Sequence, residues 1–251
     1  MASGPRSTVS GWLVGTVASV VDANGHARVI GLQVPGWPGN QPGQHLDLRL
    51  TAEDGYQAVR SYSIASYGPG DIVELGIDEY AEGEVSPYLV RETRPGDQVE
   101  VRGPIGRYFV WPPAQPHAGQ TDAVQLIAGG SGIVPLMSIV RAHHAAGRGE
   151  RFRLLYSVRT HADALYADEL AGLVDDHLTL DWIYTREAPA GTRRRAGRVD
   201  AQTIAELTLP ADTEPLIYVC GPTGFVESVA SILVRRGHRP DRIRTERFGG
   251  L

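Results

Sequence analysis

The sequence predicts two domains, an N-terminal antiparallel β-barrel and a C-terminal α/β domain with a parallel sheet. From residue 12 to about 110, short β-branched runs alternate with glycine and proline turns, as in small closed barrels. After residue 122, strands alternate with helices, which is typical of a parallel sheet covered by helices. A proline-rich polar stretch at 111–120 separates the two patterns. We therefore expect domains at 1–115 and 116–251.

Composition narrows the class of protein. The chain has 251 residues, of which 42% are apolar and 21% charged, and a net charge of -5 that gives no basic surface for nucleic acid. No run approaches the roughly 18 apolar residues that span a bilayer. The single cysteine, Cys220, excludes disulfides and four-cysteine iron–sulfur clusters within this chain. We expect a soluble, cytoplasmic protein with no metal site, no nucleic-acid partner and no membrane partner.

The predicted barrel contains six strands and one short helix. The turn Asp22–Gly25 joins the first two strands as a hairpin. Ser86 is a favourable N-cap and Pro87 a favourable first helical residue, so a helix is predicted to begin there. The strands are predicted at 12–17, 28–34, 45–51, 57–66, 72–80 and 97–102.

The second half predicts a series of strand–helix units. Strands are predicted at 124–128, 153–158, 178–184, 216–220 and 243–248, and helices at 133–146, 162–173, 200–207 and 223–236. In such a sheet, ligands bind at the carboxyl ends of the strands.

The run from Arg60 to Ser66 combines a cation, an aromatic ring and three hydroxyl groups. Because side chains alternate along a strand, Arg60, Tyr62, Ile64 and Ser66 are predicted on one face and Ser61, Ser63 and Ala65 on the other. A cation beside a ring suits a flat cofactor that carries phosphate. An ordinary strand with a tyrosine in the barrel wall is the alternative.

Two further segments are predicted to bind anions. The helix that begins near Ser86 presents free N–H groups at its start, although most helix starts hold no ligand. The turn 129–132 reads Gly-Gly-Ser-Gly between a strand and a helix, where a backbone without Cβ atoms can approach a pyrophosphate. Its spacing differs from the G-x-G-x-x-G fingerprint, and glycines chosen for tight packing are the alternative.

Five motifs in order give the chain a resemblance to the ferredoxin-NADP+ reductase family of flavoproteins, here without an iron–sulfur domain. The resemblance extends from Trp12 to Gly250. The motifs are Arg60-Ser61-Tyr62-Ser63, Gly83-Glu84-Val85-Ser86, Gly129-Gly130-Ser131-Gly132-Ile133-Val134-Pro135, Cys220-Gly221-Pro222 and Glu246-Arg247-Phe248-Gly249.

The resemblance implies that the barrel binds FAD. Arg60 would bind the pyrophosphate, Tyr62 would cover one face of the flavin, and Ser63 would hydrogen-bond near N5. Phe248 would cover the other face as a movable gate, because the nicotinamide must eventually stack there. The implied FAD contacts are Arg60, Ser61, Tyr62, Ser63, Gly83, Glu84, Val85, Ser86 and Phe248. FMN remains an alternative.

The resemblance also implies that the α/β domain binds NADPH or NADH. Ser63, Cys220 and Glu246 would form the hydride-transfer site. Arginines after the second and third strands of this domain favour the 2′-phosphate of NADPH, and NADH is the alternative. The implied nucleotide contacts are Gly130, Ser131, Gly132, Ser157, Arg159, Tyr166, Arg186, Arg198, Cys220, Gly221 and Pro222.

The implied activity is a flavoprotein reductase that takes hydride from NAD(P)H and passes electrons to an external acceptor. Ferredoxin, flavodoxin or an oxygenase component would accept them, since one cysteine cannot hold a plant-type cluster. Arg91, Arg94, Arg102 and Arg107 are predicted to form a basic docking patch. The alternatives are a flavin reductase, ferric reductase or diaphorase with a small-molecule acceptor, and a flavin-binding subunit without pyridine-nucleotide turnover.

Overall fold

The computed structural model describes residues 11–111, 123–147 and 149–249. Contacts between Cα atoms divide the chain into two compact units. The first contains residues 1–112 together with 137–142, and the second contains 113–136 together with 143–251. The predicted boundary between residues 115 and 116 and nearly all of the proline-rich stretch lie outside the described residues.

The first unit contains an antiparallel sheet of six strands. The strands are β1 (Leu13–Asn24), β2 (Ala27–Gln33), β3 (His45–Thr51), β4 (Gln57–Ser63), β5 (Ile72–Asp78) and β6 (Gln98–Ile105), and helix α1 (Val85–Arg91) precedes β6. Their order is β4-β3-β6-β1-β2-β5. A single bridge between Ile64 and Leu75 joins the two edge strands, so the sheet closes like a barrel. Apolar side chains such as Leu46 and Val101 fill its interior.

All six predicted barrel strands are present, but two local predictions were wrong. Strand β4 ends at Ser63, and the next two residues, Ile64 and Ala65, are both buried, so alternation does not continue to Ser66. Helix α1 begins at Val85 with Glu84 as N-cap, because the Ser86 hydroxyl instead accepts a hydrogen bond from the Tyr80 N–H at 3.0 Å.

The second unit contains a parallel sheet of five strands. The strands are β7 (Ala123–Gly129), β8 (Arg151–Val158), β9 (Leu178–Tyr184), β10 (Leu216–Pro222) and β11 (Ile243–Phe248), in the order β11-β10-β7-β8-β9. The helices that follow its strands are α2 (Ile133–Ala146), of which residues 137–142 group with the first unit, α3 (Ala167–Leu173), α4 (Ala201–Leu207) and α5 (Thr223–Arg235). Short 3-10 turns occupy Gly130–Gly132, His161–Asp163, Ala211–Thr213 and Pro240–Arg242.

One predicted helix of the second unit was wrong. The segment 162–173 breaks into the turn His161–Asp163 and the shorter helix α3, because Tyr166 adopts a left-handed backbone with φ of 60°. The helix predicted from Asp200 is present, and Asp200 caps it by accepting a hydrogen bond from the Thr203 N–H at 2.7 Å.

Two features are absent from the described ranges. No helix there has both the length and the apolar character needed to cross a bilayer. In the same ranges, no three His, Cys, Asp or Glu side chains are arranged to hold a metal ion.

Candidate active site

Strand β4 places a cation and an aromatic ring on one face of the barrel wall. Ala58, Arg60 and Tyr62 share this face, where Ala58 is buried, Arg60 is exposed and Tyr62 packs against the barrel core. Burial raises the pKa of the Tyr62 phenol, so the ring remains neutral. Arg60 Nη1 donates to the Val59 carbonyl oxygen at 2.8 Å, while 53% of the Arg60 side chain is exposed. The guanidinium therefore lies beside the ring and faces solvent.

The two serines of this strand have different surroundings. The Ser61 hydroxyl donates to Asp47 Oδ1 at 2.7 Å, and the other oxygen of Asp47 accepts from Arg102 Nη2 at 2.7 Å. The structure thus joins Ser61 to a side-chain network on the face opposite Arg60 and Tyr62. In the described part of the chain, the Ser63 hydroxyl makes no hydrogen bond, which leaves it available to a ligand.

A carboxylate at the start of α1 lies near Arg60. Glu84 Oε2 is 3.9 Å from Arg60 Nη2 and accepts a hydrogen bond from the Tyr56 hydroxyl at 3.0 Å. Such a long ion pair between exposed groups is weak, so Arg60 can turn toward an external anion. The sequence analysis missed Tyr56, because its contact with Glu84 joins residues far apart in the chain. A Cβ atom at Gly83 would lie 3.0 Å from the Tyr80 carbonyl oxygen, so this turn favours glycine.

These groups fit a cofactor that carries both a phosphate and a flat ring system. The first turn of α1 leaves the N–H groups of Val85 and Ser86 without partners inside the helix, and phosphate oxygens accept from such groups. The guanidinium of Arg60 supplies the matching charge, and Tyr62 supplies an apolar ring. Within the described ranges, Glu84 is the one carboxylate within 4 Å of the Arg60 guanidinium, and it opposes an anion here.

The glycine turn of the second unit combines close packing with open space. A Cβ atom at Gly132 would collide with the Cys220 carbonyl oxygen, and one at Gly129 would lie 2.7 Å from the Phe225 ring. Gly130 has a left-handed backbone with φ of 54°, and a Cβ atom there would meet nothing within 4 Å. Packing therefore requires glycine at 129 and 132, whereas the space at Gly130 fits a nucleotide phosphate.

Residues of the two neighbouring strands flank the glycine turn. Ser157 of β8 is buried and pairs in register with Gly129, and Ser131 is partly exposed within the turn. Gly221, at the end of β10, packs against the Phe225 ring, which would lie 2.8 Å from a Cβ atom there. The structure thus brings Ser157 and Gly221, which are distant in sequence, to the two sides of the turn.

Cys220 and Glu246 are neighbours in register at the carboxyl ends of β10 and β11. Desolvation, with a contribution from Glu246, raises the pKa of the buried Cys220 thiol, which stays protonated. Desolvation also raises the pKa of Glu246 to about 7. A carboxyl group with this pKa both accepts and releases a proton near neutral pH. The pair therefore offers a small apolar thiol beside a group suited to proton transfer.

The chain end is tied back to helix α5. Phe248 pairs in register with Pro222, and its side chain is 37% exposed. Arg247 Nε donates to Glu227 Oε1 at 2.7 Å, and the Thr223 hydroxyl donates to the Gly249 carbonyl oxygen at 3.2 Å. The backbone of the predicted gate is thus held in β11, while its ring reaches solvent. Gly250, the end of the resemblance, lies outside the described residues.

Backbone hydrogen bonds bring the three predicted arginine positions together. The Arg186 N–H donates to the Arg159 carbonyl oxygen at 2.9 Å, and the Gly197 N–H, next to Arg198, donates to Tyr184 at 2.9 Å. Among the described residues, none of the three arginines forms an ion pair, whereas the nearby Arg194 pairs with Glu206. At this end of the sheet, the described residues thus carry positive charge that no ion pair neutralises.

Tyr166, the remaining predicted nucleotide contact, lies just before α3. Its left-handed backbone makes it the N-cap residue of that helix, and its side chain is partly buried. The helical surroundings expected from the sequence were therefore wrong for this residue.

The structure also adds a group that the sequence analysis missed. His161 Nδ1 lies 3.1 Å from the Tyr184 hydroxyl, and the His161 ring meets Trp182 edge-on with centroids 5.2 Å apart. The sequence held one signal for it, which is the placement of Trp182 and Tyr184 two residues apart on one face of β9.

Two of the four arginines in the predicted docking patch are already paired. Arg91 Nε donates to Glu79 at 2.9 Å, and Arg102 Nη2 donates to Asp47 at 2.7 Å. These carboxylates neutralise half of the predicted patch. Beside Arg102, the first unit contains a cavity of about 350 Å³ lined by Gln44 and residues 102–107.

Comparison with known proteins matches both halves of the chain. The oxidoreductase FAD-binding domain family matches residues 25–110, and the oxidoreductase NAD-binding domain family matches residues 126–231. An NADPH oxidoreductase of Mycobacterium tuberculosis is 31% identical over 85% of this chain and 54% of its own length. A ferredoxin–NAD(P)+ reductase component of naphthalene 1,2-dioxygenase/salicylate 5-hydroxylase systems from Ralstonia is 27% identical over 93% of this chain and 68% of its own.

A solved structure agrees with these matches. The cytochrome P450 reductase GcoB of Amycolatopsis is 25% identical, with a TM-score of 0.82 over 98% of this chain and 72% of its own. The chain spans about half to two thirds of the length of the two curated relatives. The FAD-binding match includes strand β4, and the NAD-binding match includes the glycine turn. The chain therefore belongs to the ferredoxin-NADP+ reductase family of flavoprotein oxidoreductases, and it binds FAD and NAD(P)H.

Proposed function

We propose that the protein takes hydride from NAD(P)H, with NADPH favoured, and passes electrons to an external acceptor such as ferredoxin, flavodoxin or an oxygenase component. FAD, when bound, supplies the chemistry that accepts a hydride and releases electrons one at a time. The observation that carries the proposal is the Cys220–Glu246 pair at the carboxyl ends of two strands, next to the glycine turn. The names of the relatives, an NADPH oxidoreductase and a dioxygenase reductase component, support it.

The proposed roles in the first unit follow from the chemistry of each group. Arg60 and the N–H groups of Val85 and Ser86 bind the FAD pyrophosphate. Tyr62 lies against the flavin, and the Ser63 hydroxyl donates a hydrogen bond to it. Ser61 does not contact the cofactor in this proposal, because its hydroxyl is bound to Asp47.

The proposed roles in the second unit divide between backbone and side chains. The turn Gly130–Gly132 approaches the nucleotide pyrophosphate, and Gly221 and Pro222 bound the same space. Cys220 provides an apolar surface for the nicotinamide. Glu246 orients it and holds a proton near neutral pH. Phe248 shields the flavin until the nicotinamide displaces its ring.

The preference for NADPH rests on the unpaired positive charge after β8 and β9. Arg159, Arg186 and Arg198 lie on three adjacent chain segments and would bind the 2′-phosphate, which NADH lacks. Ser157 and Tyr166 are proposed to contact the adenosine ribose. NADH use by a protein with these arginines would show that their charge serves another purpose.

Three organisational features also remain our proposals. The first is a domain boundary between residues 115 and 116. The second is a cytoplasmic location, supported by a single cysteine that is buried as a thiol. The third is an acceptor that docks by charge, although the pairing of Arg91 and Arg102 leaves only Arg94 and Arg107 of the predicted patch for that purpose.

Anaerobic stopped-flow spectroscopy tests the proposal. The purified protein should be yellow, and the absorbance of its flavin bands should fall after rapid mixing with NADPH. Reoxidation is then followed with ferredoxin, free flavin and a ferric chelate as separate acceptors. Faster reoxidation by ferredoxin supports an electron-transfer reductase, whereas faster reoxidation by free flavin or the chelate indicates the small-molecule reductase. A yellow protein that NADPH and NADH both fail to bleach would contradict turnover.

A further inference from the structure

His161 is an exposed histidine whose ring is nevertheless held in place. It follows β8 in the turn His161–Asp163, where Asp163 accepts from both the N–H and the hydroxyl of Thr160, at 2.8 and 2.7 Å. The ring itself is fixed by the Tyr184 hydroxyl at 3.1 Å and by the edge-on contact with Trp182. A side chain positioned before a ligand arrives loses less entropy on binding.

The position of His161 places it among the arginines described above. It lies two residues after Arg159, at the carboxyl ends of β8 and β9, where parallel sheets bind ligands. Its Nδ1 is engaged by Tyr184, and within the described ranges Nε2 makes no hydrogen bond. An N–H group at Nε2 can therefore donate to an anion held by the same arginines.

We propose that His161 is a specificity-determining residue that binds the 2′-phosphate of NADPH together with Arg159, Arg186 and Arg198. The inference rests on the proposed use of a pyridine nucleotide. When Nδ1 accepts from the Tyr184 hydroxyl, the ring carries its N–H at Nε2 and can donate it to a phosphate oxygen.

The groups around the ring are consistent with this role. From β9, Tyr184 is the titratable group and Trp182 is uncharged. On the histidine's own segment, the carboxylate of Asp163 is turned toward Thr160, and Arg159 adds positive charge. Because Asp163 accepts from Thr160, an Nε2–H group of the ring can donate to a bound phosphate.

Isothermal titration calorimetry tests the inference without catalytic turnover. The probes are adenosine 2′,5′-bisphosphate and 5′-AMP, which differ only in the 2′-phosphate. Because the variant loses the positioned ring N–H, His161→Gln should weaken bisphosphate binding by about threefold to tenfold and leave 5′-AMP binding unchanged.

Two further variants test whether the loss of affinity comes from the positioned His161 ring. Tyr184→Phe keeps the aromatic surface and removes the hydroxyl that orients the ring, so it should reproduce part of the loss. His177→Gln changes an exposed histidine at the amino end of β9 and should bind both probes like wild type. Circular dichroism identifies any variant that fails to fold.

Several outcomes overturn the inference. His161→Gln with wild-type bisphosphate affinity would do so, and so would equal weakening of both probes. A wild-type protein that binds the bisphosphate no better than 5′-AMP also overturns it, while bleaching of the flavin by NADH would leave the proposed oxidoreductase intact. Absence of both flavin and nucleotide binding would overturn the two proposals together.

Discussion

The candidate sites of the two units differ in the chemical groups that form them. In the first unit the proposed phosphate site takes its positive charge from one side chain, Arg60, beside backbone N–H groups at the start of α1, and a carboxylate at Glu84 competes for that charge. In the second unit the site is mainly backbone, fixed by contacts that leave no room for a Cβ atom at Gly129 or Gly132. A side-chain site adjusts when one group changes, whereas a backbone site depends on the packing beneath it. We therefore expect graded losses in the first unit and abrupt losses in the second.

The largest effect is expected at Gly132. Gly132→Ala would force a methyl group against the Cys220 carbonyl oxygen and displace the turn, so stability should fall by about 3 kcal/mol. Urea denaturation measures this loss, and NADPH oxidation should be abolished. Gly172→Ala is the matched control, because a Cβ atom there, within α3, meets nothing within 4 Å. It should stabilise the protein by about 0.5 kcal/mol or less. Equal midpoints for the two variants would contradict a packing requirement.

Glu246→Gln tests the carboxyl group of the second unit through pH. The pKa of Glu246 rises on folding from 4.5 to about 7, so the folded state binds the proton more tightly in that window. The stability of the wild type therefore falls as pH rises from 4.5 to about 7. Gln does not ionise and so avoids this loss. The free energy of unfolding of the variant should therefore exceed that of wild type by roughly 2 to 3 kcal/mol at about pH 8, and by little at about pH 4.

Chemical denaturation at the two pH values measures this gain, with Glu187→Gln as the control on an exposed loop of the same unit. The control should follow wild type. A Glu246→Gln variant that also follows wild type would mean that the carboxyl group is not desolvated in the folded protein.

Arg60→Ala tests the side-chain site. Losing a charged hydrogen-bond donor should weaken FAD binding by about 1.5 to 2 kcal/mol, or roughly tenfold to thirtyfold, without unfolding the barrel. Reconstitution of the apoprotein, followed by quenching of flavin fluorescence, measures the affinity. Arg94→Ala removes another exposed arginine of the barrel and should bind FAD like wild type. Complete loss of FAD binding by Arg60→Ala would remove the contrast between the two units.

The smallest effect is expected at Glu84. Its carboxylate repels the pyrophosphate and competes for Arg60, so Glu84→Gln should tighten FAD binding by no more than about fivefold, in line with an exposed ion pair. The same fluorescence titration detects the gain, and high salt should reduce it. Glu53→Gln, in an exposed turn, is the control. Weaker binding by Glu84→Gln would mean that the carboxylate helps to orient Arg60.

Sequence patterns predicted the secondary structure correctly where local periodicity and packing agree. The bounds of α2, β9 and β11 were predicted correctly, because their apolar spacing is regular and their ends are marked by turn or capping residues. The fold class and the family followed from the order of such elements. The glycine turn was also identified from sequence, since a site made of backbone is marked by the residue that lacks a Cβ atom.

Predictions were wrong where distant or local polar contacts decide the backbone. Ser86 was expected to cap a helix, but its hydroxyl binds the Tyr80 N–H. The helix through Tyr166 is interrupted because that residue adopts a left-handed conformation, which no periodicity reveals. The partners of Ser61 and Glu84 come from other elements, Asp47 on β3 and Tyr56 beside β4. Such pairings depend on strand order, which a single sequence does not provide.

The contacts between α5 and the last residues of β11 determine how fast Phe248, the proposed gate, can move aside. Moving the end of β11 as a whole would break the Arg247–Glu227 pair, the Thr223–Gly249 hydrogen bond and the last β10–β11 backbone pairings together. Rotation of the benzyl group about its own side-chain bonds breaks none of them and takes picoseconds to nanoseconds for an exposed ring. We therefore expect a swinging side chain on a stationary backbone, quick enough that nucleotide arrival never waits for it.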